Sequence, residues 1–202
     1  MKKFISTILV SVMLIVMTAV MSYAAITHTV ERGDSLWKLA VKYQVGLSEI
    51  KSANPTIKNY DLIYPGQQIN IPTVSSTTTA YETEVVRLVN QRRAEHGLKP
   101  LTQDWQLSRV ARYKSQDMKD LGYFSHTSPT YGSPFQMMKS FGISYRTAGE
   151  NIAKGYASPE AVVNAWMNSP GHRANILNST YTHIGVGFVS SGNYWTQMFI
   201  SK

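Results

Sequence analysis

Five histidines in a chain of 202 residues are few enough to weigh one by one. Most of the informative polar residues of the second half fall in four short stretches: YFSHTSP (123–129), AGENIA (148–153), NAWMNSPGHRANIL (164–177) and HIGVGF (183–188). Imidazole and carboxylate are the groups of acid–base chemistry and of metal ligation. His126 and His172 stand 46 positions apart with Glu150 between them. No HExxH spacing joins them locally, so only a tertiary fold brings them together. Ser125, Ser128 and Ser169 lie close to these histidines, but neither a nucleophile elbow nor a complete Ser-His-acid set surrounds them. Hydroxyl groups beside chain breaks are the residues of caps and turns. A glycosidase needs two carboxylates about the scissile bond, and Glu150 has no evident partner. His28, His96 and His183 have no partner suggested by sequence and are read as surface or strand residues.

The hydrophobic pattern predicts the elements that must carry these stretches. In residues 81–202, Val85, Val86, Leu88 and Val89 form the apolar face of a helix stopped by Gly97. Asp104 caps a second helix bearing Leu107, Val110, Ala111, Met118 and Leu121, which Gly122 ends. Ser133-Pro134-Phe135-Gln136 has the spacing of a capping box and opens a third. Ser158-Pro159-Glu160 opens a fourth, with Ala161, Val162, Ala165 and Trp166 inward. Residues 183–189 and 194–200 read as a hairpin, and a strand near 150–153 completes a sheet. Helices first and a hairpin last describe an α+β domain, its helices packed on an antiparallel sheet.

Upstream, TVSSTTTA (73–80) is small and polar without apolar periodicity and reads as a linker. Residues 27–72 read as strand–helix–helix–strand. Leu36, Leu39, Ala40 and Tyr43 share one helix face, Asn54-Pro55 ends a second helix near 48–53, and residues 68–71 alternate as a strand. Leu36, Leu39 and Trp37 are read as core. Forty-six residues is small for a free-standing core.

This segment resembles the LysM module in TVERGDSLWKLA (29–40), ANP (53–55) and LIYPGQQINIP (62–72). The resemblance implies a βααβ fold that binds N-acetylglucosamine-containing glycan, peptidoglycan or a chitin-like chain. Its groove would lie between Gly33, Asp34, Ser35 and Leu36 on one side and Asn59, Tyr60, Asp61, Leu62 and Ile63 on the other. Backbone groups of tight loops suit an acetamido group there, and Leu62 and Ile63 suit its methyl and the apolar sugar face.

The four stretches of the second half together resemble the CAP superfamily of cysteine-rich secretory, antigen 5 and pathogenesis-related proteins (SCP-like), in its cysteine-free bacterial branch. The resemblance implies an α-β-α sandwich with a central cleft of two histidines and two acidic residues. His126, Glu150 and His172 take three of those places and are the candidate catalytic residues. The fourth falls near Ser169, where no carboxylate stands. His126 and His172 are also candidate ligands for Zn2+, since two imidazoles and a carboxylate suit that ion. The missing acid argues against an enzyme.

At the other end, Lys2 and Lys3 precede an apolar run to about Met21 and the small residues of Ser22-Tyr23-Ala24-Ala25. This is the pattern of a secretory signal peptide over residues 1–25, with an uncleaved membrane anchor as the alternative. The organisation expected is signal peptide, LysM module over 26–72, linker over 73–80 and CAP domain over 81–202. No later segment reaches transmembrane length. The absence of cysteine points to a bacterial export route and leaves each module to its own core. The net charge of +8 is spread without a Lys/Arg run, which argues against nucleic acid and toward an anionic surface. The function expected is a secreted, cell-wall-associated protein that holds peptidoglycan through LysM and presents a CAP cleft to a lipid or protein ligand. The alternatives are a cell-wall or spore-envelope hydrolase and a spore coat or cortex assembly protein.

Overall fold

The computed structural model describes residues 24–202. The signal segment expected over residues 1–25 lies almost wholly outside them.

The first unit pairs β1 (Ala24–Thr29) with β2 (Gln68–Thr73) antiparallel, His28 opposite Ile69. Between them run α1 (Leu36–Tyr43) and α2 (Leu47–Ala53). Ser35 caps α1 by accepting the Lys38 amide at 3.2 Å, a bond worth about 1 kcal/mol at such positions. Val30, Leu36, Leu39, Ala40, Val45, Ile50, Ile69 and Ile71 make the core. Trp37 does not join it: the ring is 65% exposed. One residue beyond Leu36 is a turn of 100° around the helix, which carries Trp37 off the buried stripe. His28 departs from expectation in the other direction. It is buried, with Tyr43 Oη at 2.9 Å from Nδ1 and Asp34 Oδ2 at 2.9 Å from Nε2. His96 and His183 also have partners, Arg92 and Thr182.

The expected linker is mostly helix. Thr73 ends β2, and α3 spans Ser76–Glu95, leaving Val74 and Ser75 to connect the modules. Ser75 caps α3 by accepting the Thr78 amide at 3.1 Å. The first turn of α3 is largely exposed, so it shows no apolar period, and its hydroxyl residues mimic a linker.

The second unit continues with β3 (Thr102–Gln103), α4 (Trp105–Asp120), α5 (Pro134–Ser140), β4 (Thr147–Lys154), α6 (Pro159–Met167), α7 (Pro170–Ile176), β5 (His183–Val189) and β6 (Tyr194–Ser201). Asp104, Ser133 and Ser158 cap α4, α5 and α6 with their side chains, and Ser133 and Gln136 close a capping box. The sheet order is β3-β5-β6-β4, antiparallel except for the short β3–β5 pair. Side chains alternate across it. Ile184, Val186, Phe188, Trp195 and Phe199 face α3, α6 and α7, while Met198 and Ile200 face α4 and α5. This is the α-β-α sandwich expected, with helices on both faces.

Gly185 and Gly187 point at α4, and a Cβ on either would overlap that helix's backbone. Their absence of side chains lets α4 lie directly on β5. An ion pair whose carboxylate is fully buried ties α3 to the same helix. Glu82 accepts both forks of Arg112 at 2.6–2.9 Å and the Phe188 amide at 3.1 Å. Burial still pushes the Glu82 carboxyl up in pKa against that support. Leu121, read as core, is 55% exposed, because α4 ends at Asp120 and Leu121 is its C-cap.

Candidate functional site

The cleft is built about β4, the edge strand of the larger sheet, and the strand's alternation divides the labour. Glu150 lies opposite Met198 and so shares the α4 face; Asn151 lies opposite Gln197 and shares the α7 face. Glu150 is almost completely buried, its side chain 2% exposed. His126, on the loop after α4, is half exposed and sets Nδ1 at 2.7 Å from Glu150 Oε1. An ionised Glu150 only accepts, so in that state the imidazole donates from Nδ1. The second oxygen, Glu150 Oε2, is buried with no hydrogen-bond partner.

Across the strand, Asn151 Nδ2 donates to the His172 carbonyl at 3.1 Å and to Gln197 Oε1 at 2.9 Å. Asn175 returns two bonds, to Asn151 Oδ1 at 2.8 Å and to the Glu150 carbonyl at 3.2 Å. These bonds pin α7 to the edge strand. The proline–glycine break before His172 opens α7, whose Ile176 is buried in the core and whose Arg173 is exposed. His172 lines a cavity of about 280 Å³ with Ser169, Trp166, Ile152, Tyr156 and Phe124. Burial, and then the charge of His126, depress its pKa. The fold therefore brings His126 and Glu150 into direct contact and His172 to the neighbouring wall. A larger hollow of about 540 Å³, lined by Asp104, Tyr145, Arg146 and Lys202, holds no histidine.

Two residues that sequence reasoning passed over organise this site from beneath. Lys114 is fully buried and its Nζ donates to Tyr123 Oη at 3.1 Å, the Ser125 carbonyl at 2.8 Å and the His126 carbonyl at 2.9 Å. One turn on, Asp117 accepts from Tyr123, from Ser128 Oγ at 2.7 Å and from Thr130 Oγ1 at 2.6 Å. Burial and this bond to Asp117 raise the Tyr123 pKa, keeping the phenol protonated as the donor. The His126 loop thus hangs from α4. The signal was present: Leu107, Ala111, Lys114 and Met118 fall on one helical stripe, and a lysine in a core position calls for buried acceptors.

This arrangement limits the chemistry. Asp117 has its oxygens engaged by Tyr123, Ser128 and Thr130, and Ser169 lines the cavity with a hydroxyl. Catalytic zinc takes three protein ligands. Among the described residues no group of three or more His, Cys, Asp or Glu side chains is placed to hold a metal, so the residues here do not fit that ion. What remains is a buried carboxyl, pushed up in pKa by burial against the opposing pull of His126 and Lys114, that shares a proton-bearing contact with an exposed imidazole.

Glu150 binds more protons in the folded state than its ordinary value of 4.5 would give. Its contribution to stability is complete below that value and is lost as pH rises through the raised one. The melting temperature of Glu150→Gln minus that of the wild type should therefore increase with pH over that window. A difference independent of pH would show that the carboxyl titrates normally.

In the smaller module, Gly33 adopts φ 95° in the loop before α1, a conformation that favours glycine. Asp34 accepts the Glu31 amide at 2.8 Å and His28 Nε2 at 2.9 Å. The Glu31 amide first, and then His28, hold its carboxyl below the usual range. Ser35 is engaged as the cap, and Leu36 is 2% exposed, so its side chain belongs to the core and only its backbone faces the loop. Opposite, Asn59 Oδ1 accepts the Asp61 amide at 3.0 Å. Tyr60 turns its hydroxyl inward to the Lys51 carbonyl at 3.2 Å, and Ile63 packs against the core. Leu62 is 50% exposed.

A two-module chain of this build, a βααβ unit before an α-β-α sandwich with a His–Glu cleft, has known relatives. The profile of the CAP cysteine-rich secretory protein family matches residues 86–200, and that of the LysM domain matches residues 28–72. The chain belongs to the CAP family and carries a LysM domain. It is 68% identical over 127 residues to uncharacterized protein YkwD of Bacillus subtilis (strain 168), covering 63% of this chain and 49% of that one. Uncharacterized membrane protein YlbC of the same strain is 38% identical over 170 residues, 80% of this chain and 49% of that one. The chain thus spans about half the length of these curated relatives. Spore coat assembly protein ExsA of Bacillus cereus is 46% identical over 48 residues, 24% of this chain and 8% of ExsA. Among solved structures, an extracellular protein containing a SCP domain from Bacillus anthracis str. Ames matches with TM-score 0.60 and 35% identity, over 68% of this chain and 47% of that one. Among the described residues no helix is long and apolar enough to cross a membrane.

Proposed function

We propose that this protein is exported to the cell wall, where its LysM domain binds N-acetylglucosamine-containing glycan and its CAP cleft serves as a binding site. The observation that carries the reading is the LysM match over residues 28–72 joined to the exposure of the loops that the resemblance assigns to glycan. Gly33, Asn59, Asp61 and Leu62 are all exposed, while the bonds from the Glu31 amide to Asp34 and from the Asp61 amide to Asn59 hold their loops in shape. The signal segment at residues 1–25 and the basic surface support export and retention on an anionic polymer. The cleft suits an amphipathic ligand: aromatic Phe124 and Tyr156 rim a cavity whose inner wall offers His172 and Ser169. A wall hydrolase is less well supported, because Glu150 has no second carboxylate to work with.

Wild-type protein should be retained on purified peptidoglycan, and Leu62→Asp should bind about tenfold more weakly, as expected for losing one apolar sugar contact. Leu62 is exposed, so its variant keeps the fold and the loss reads binding. Absence of wild-type retention would overturn the glycan reading. The likeness to a spore coat assembly protein favours a second reading, in which the same tether works at the spore envelope. Localisation of a tagged copy in growing and sporulating cells separates the two.

A further inference from the structure

We propose that the LysM module is docked on helix α4 of the CAP domain by a buried electrostatic clamp, so that the glycan groove and the His126–Glu150 cleft belong to one rigid body. The partner of the α4 surface is the chain's own helix α2. Arg109 of α4 grips Glu49 of α2 with both forks, Nε to Oε1 at 2.5 Å and Nη2 to Oε2 at 2.8 Å. Its Nη2 also reaches Ser48 Oγ at 3.0 Å, and Tyr113 Oη donates to Glu49 Oε1 at 2.9 Å. The guanidinium lies 5.4 Å and 5.1 Å from the ring centres of Tyr113 and Phe141. The pair is largely withdrawn from water, with 19% and 9% of the two side chains exposed. Exposed ion pairs hold little because water screens them; a bidentate pair in a dry seam holds its geometry.

The sequence of the seam is adapted to this approach. Gly46, the N-cap of α2, is buried, and a Cβ there would overlap both the Glu49 carboxylate and the Arg109 guanidinium. The crevice among Val45, Gly46, Glu49, Val74, Arg109 and Arg112 has a volume of about 10 Å³, at the lower limit for a single water. Burial works against the Glu49 carboxylate, yet Arg109, Ser48 and Tyr113 together hold its pKa below the ordinary range. The two connecting residues, Val74 and Ser75, run directly into the cap of α3 and add no slack.

The clamp sits at the N-terminal end of α2, whereas the groove loop that includes Asn59 and Leu62 follows its C-terminal end, so docking leaves the groove open to solvent. Along α4, Arg109 precedes Lys114 by five residues and Asp117 by eight, or about 7.5 and 12 Å at 1.5 Å per residue. One helix therefore holds the sugar-binding module at one end and the His126 loop at the other. A polymer strand seated in the groove would meet the cleft at a set bearing. That consequence rests on the proposed glycan binding; the clamp does not.

The chain has no cysteine, so Lys58→Cys and Lys139→Cys, both exposed positions, place one spin label on each module. Pulsed dipolar spectroscopy of the doubly labelled full chain should give one narrow distance distribution. Arg109→Ala should broaden it into several components, and Glu49→Ala, acting from the other module, should do the same. A broad distribution in the parent, or a narrow one persisting in either folded variant, would overturn the proposal. Loss of peptidoglycan retention with an unchanged narrow distribution would count against the glycan reading and leave the clamp standing.

Discussion

Replacing Lys114 with methionine should destabilise the CAP domain by about 3–5 kcal/mol, the range found when one member of a buried charged network is removed. The stem is nearly isosteric, so packing is kept and the loss falls on the ammonium. Its three acceptors, Tyr123 Oη and the carbonyls of Ser125 and His126, are left in a site that water does not reach easily. The nearby carboxylates of Glu150 and Asp117 lose the positive charge that acts on them. For a domain of this size the melting temperature should fall by roughly 6–20 °C. The loop carrying His126 should loosen as well. In histidine-detected NMR the wild-type His126 resonance should be dispersed by its bond to Glu150, and in Lys114→Met it should move toward the position of a free imidazole. A variant as stable as the wild type would show that the Lys114 ammonium is solvated rather than structural.

The second large effect is expected at Gly187. A methyl there would overlap the backbone of Ala111 and Arg112, and a helix backbone has no rotamer with which to retreat. Gly187→Ala should therefore cost about 3 kcal/mol or more, at the upper end for overpacking, by lifting α4 from β5. The same displacement would strain the Arg112–Glu82 pair and carry Arg109 and Lys114 away from their partners. Gly171→Ala is the matched control. It lies in α7 with no atom near the added Cβ, and it should leave stability unchanged or raise it by about 0.5–1 kcal/mol through helix propensity. Thermal melts of the two variants measure the contrast, and equal stability would remove the account of why β5 alternates with glycine.

Much of the architecture could be read from local pattern. The stripe Leu36-Leu39-Ala40, the caps at Asp104, Ser133 and Ser158, and the alternation in β5 all express relations between residues a few positions apart. The LysM and CAP resemblances rested on short motifs of the same kind. Local pattern misled where a local signal had more than one meaning. The hydroxyl-rich 73–80 stretch looked like a linker because an exposed helical turn carries no apolar period. Trp37 looked like core because an indole is usually buried, although its angular position on α1 faces solvent.

The amino-acid sequence by itself therefore determined two modules and most of their elements, though not β3 or α7, and through the CAP resemblance it marked His126, Glu150 and His172 as candidates for a cleft. Only the tertiary structure decided that Glu150 and Asn151 face opposite sides of an edge strand, that His126 rather than His172 touches the carboxylate, and that Lys114 holds the loop from below. It also decided that Glu49 meets Arg109 across 60 residues of chain. Periodicity and capping are written in neighbours along the chain. Pairing between distant side chains depends on strand register, on the closeness that Gly46, Gly185 and Gly187 permit, and on which groups are left to be satisfied once water has been excluded.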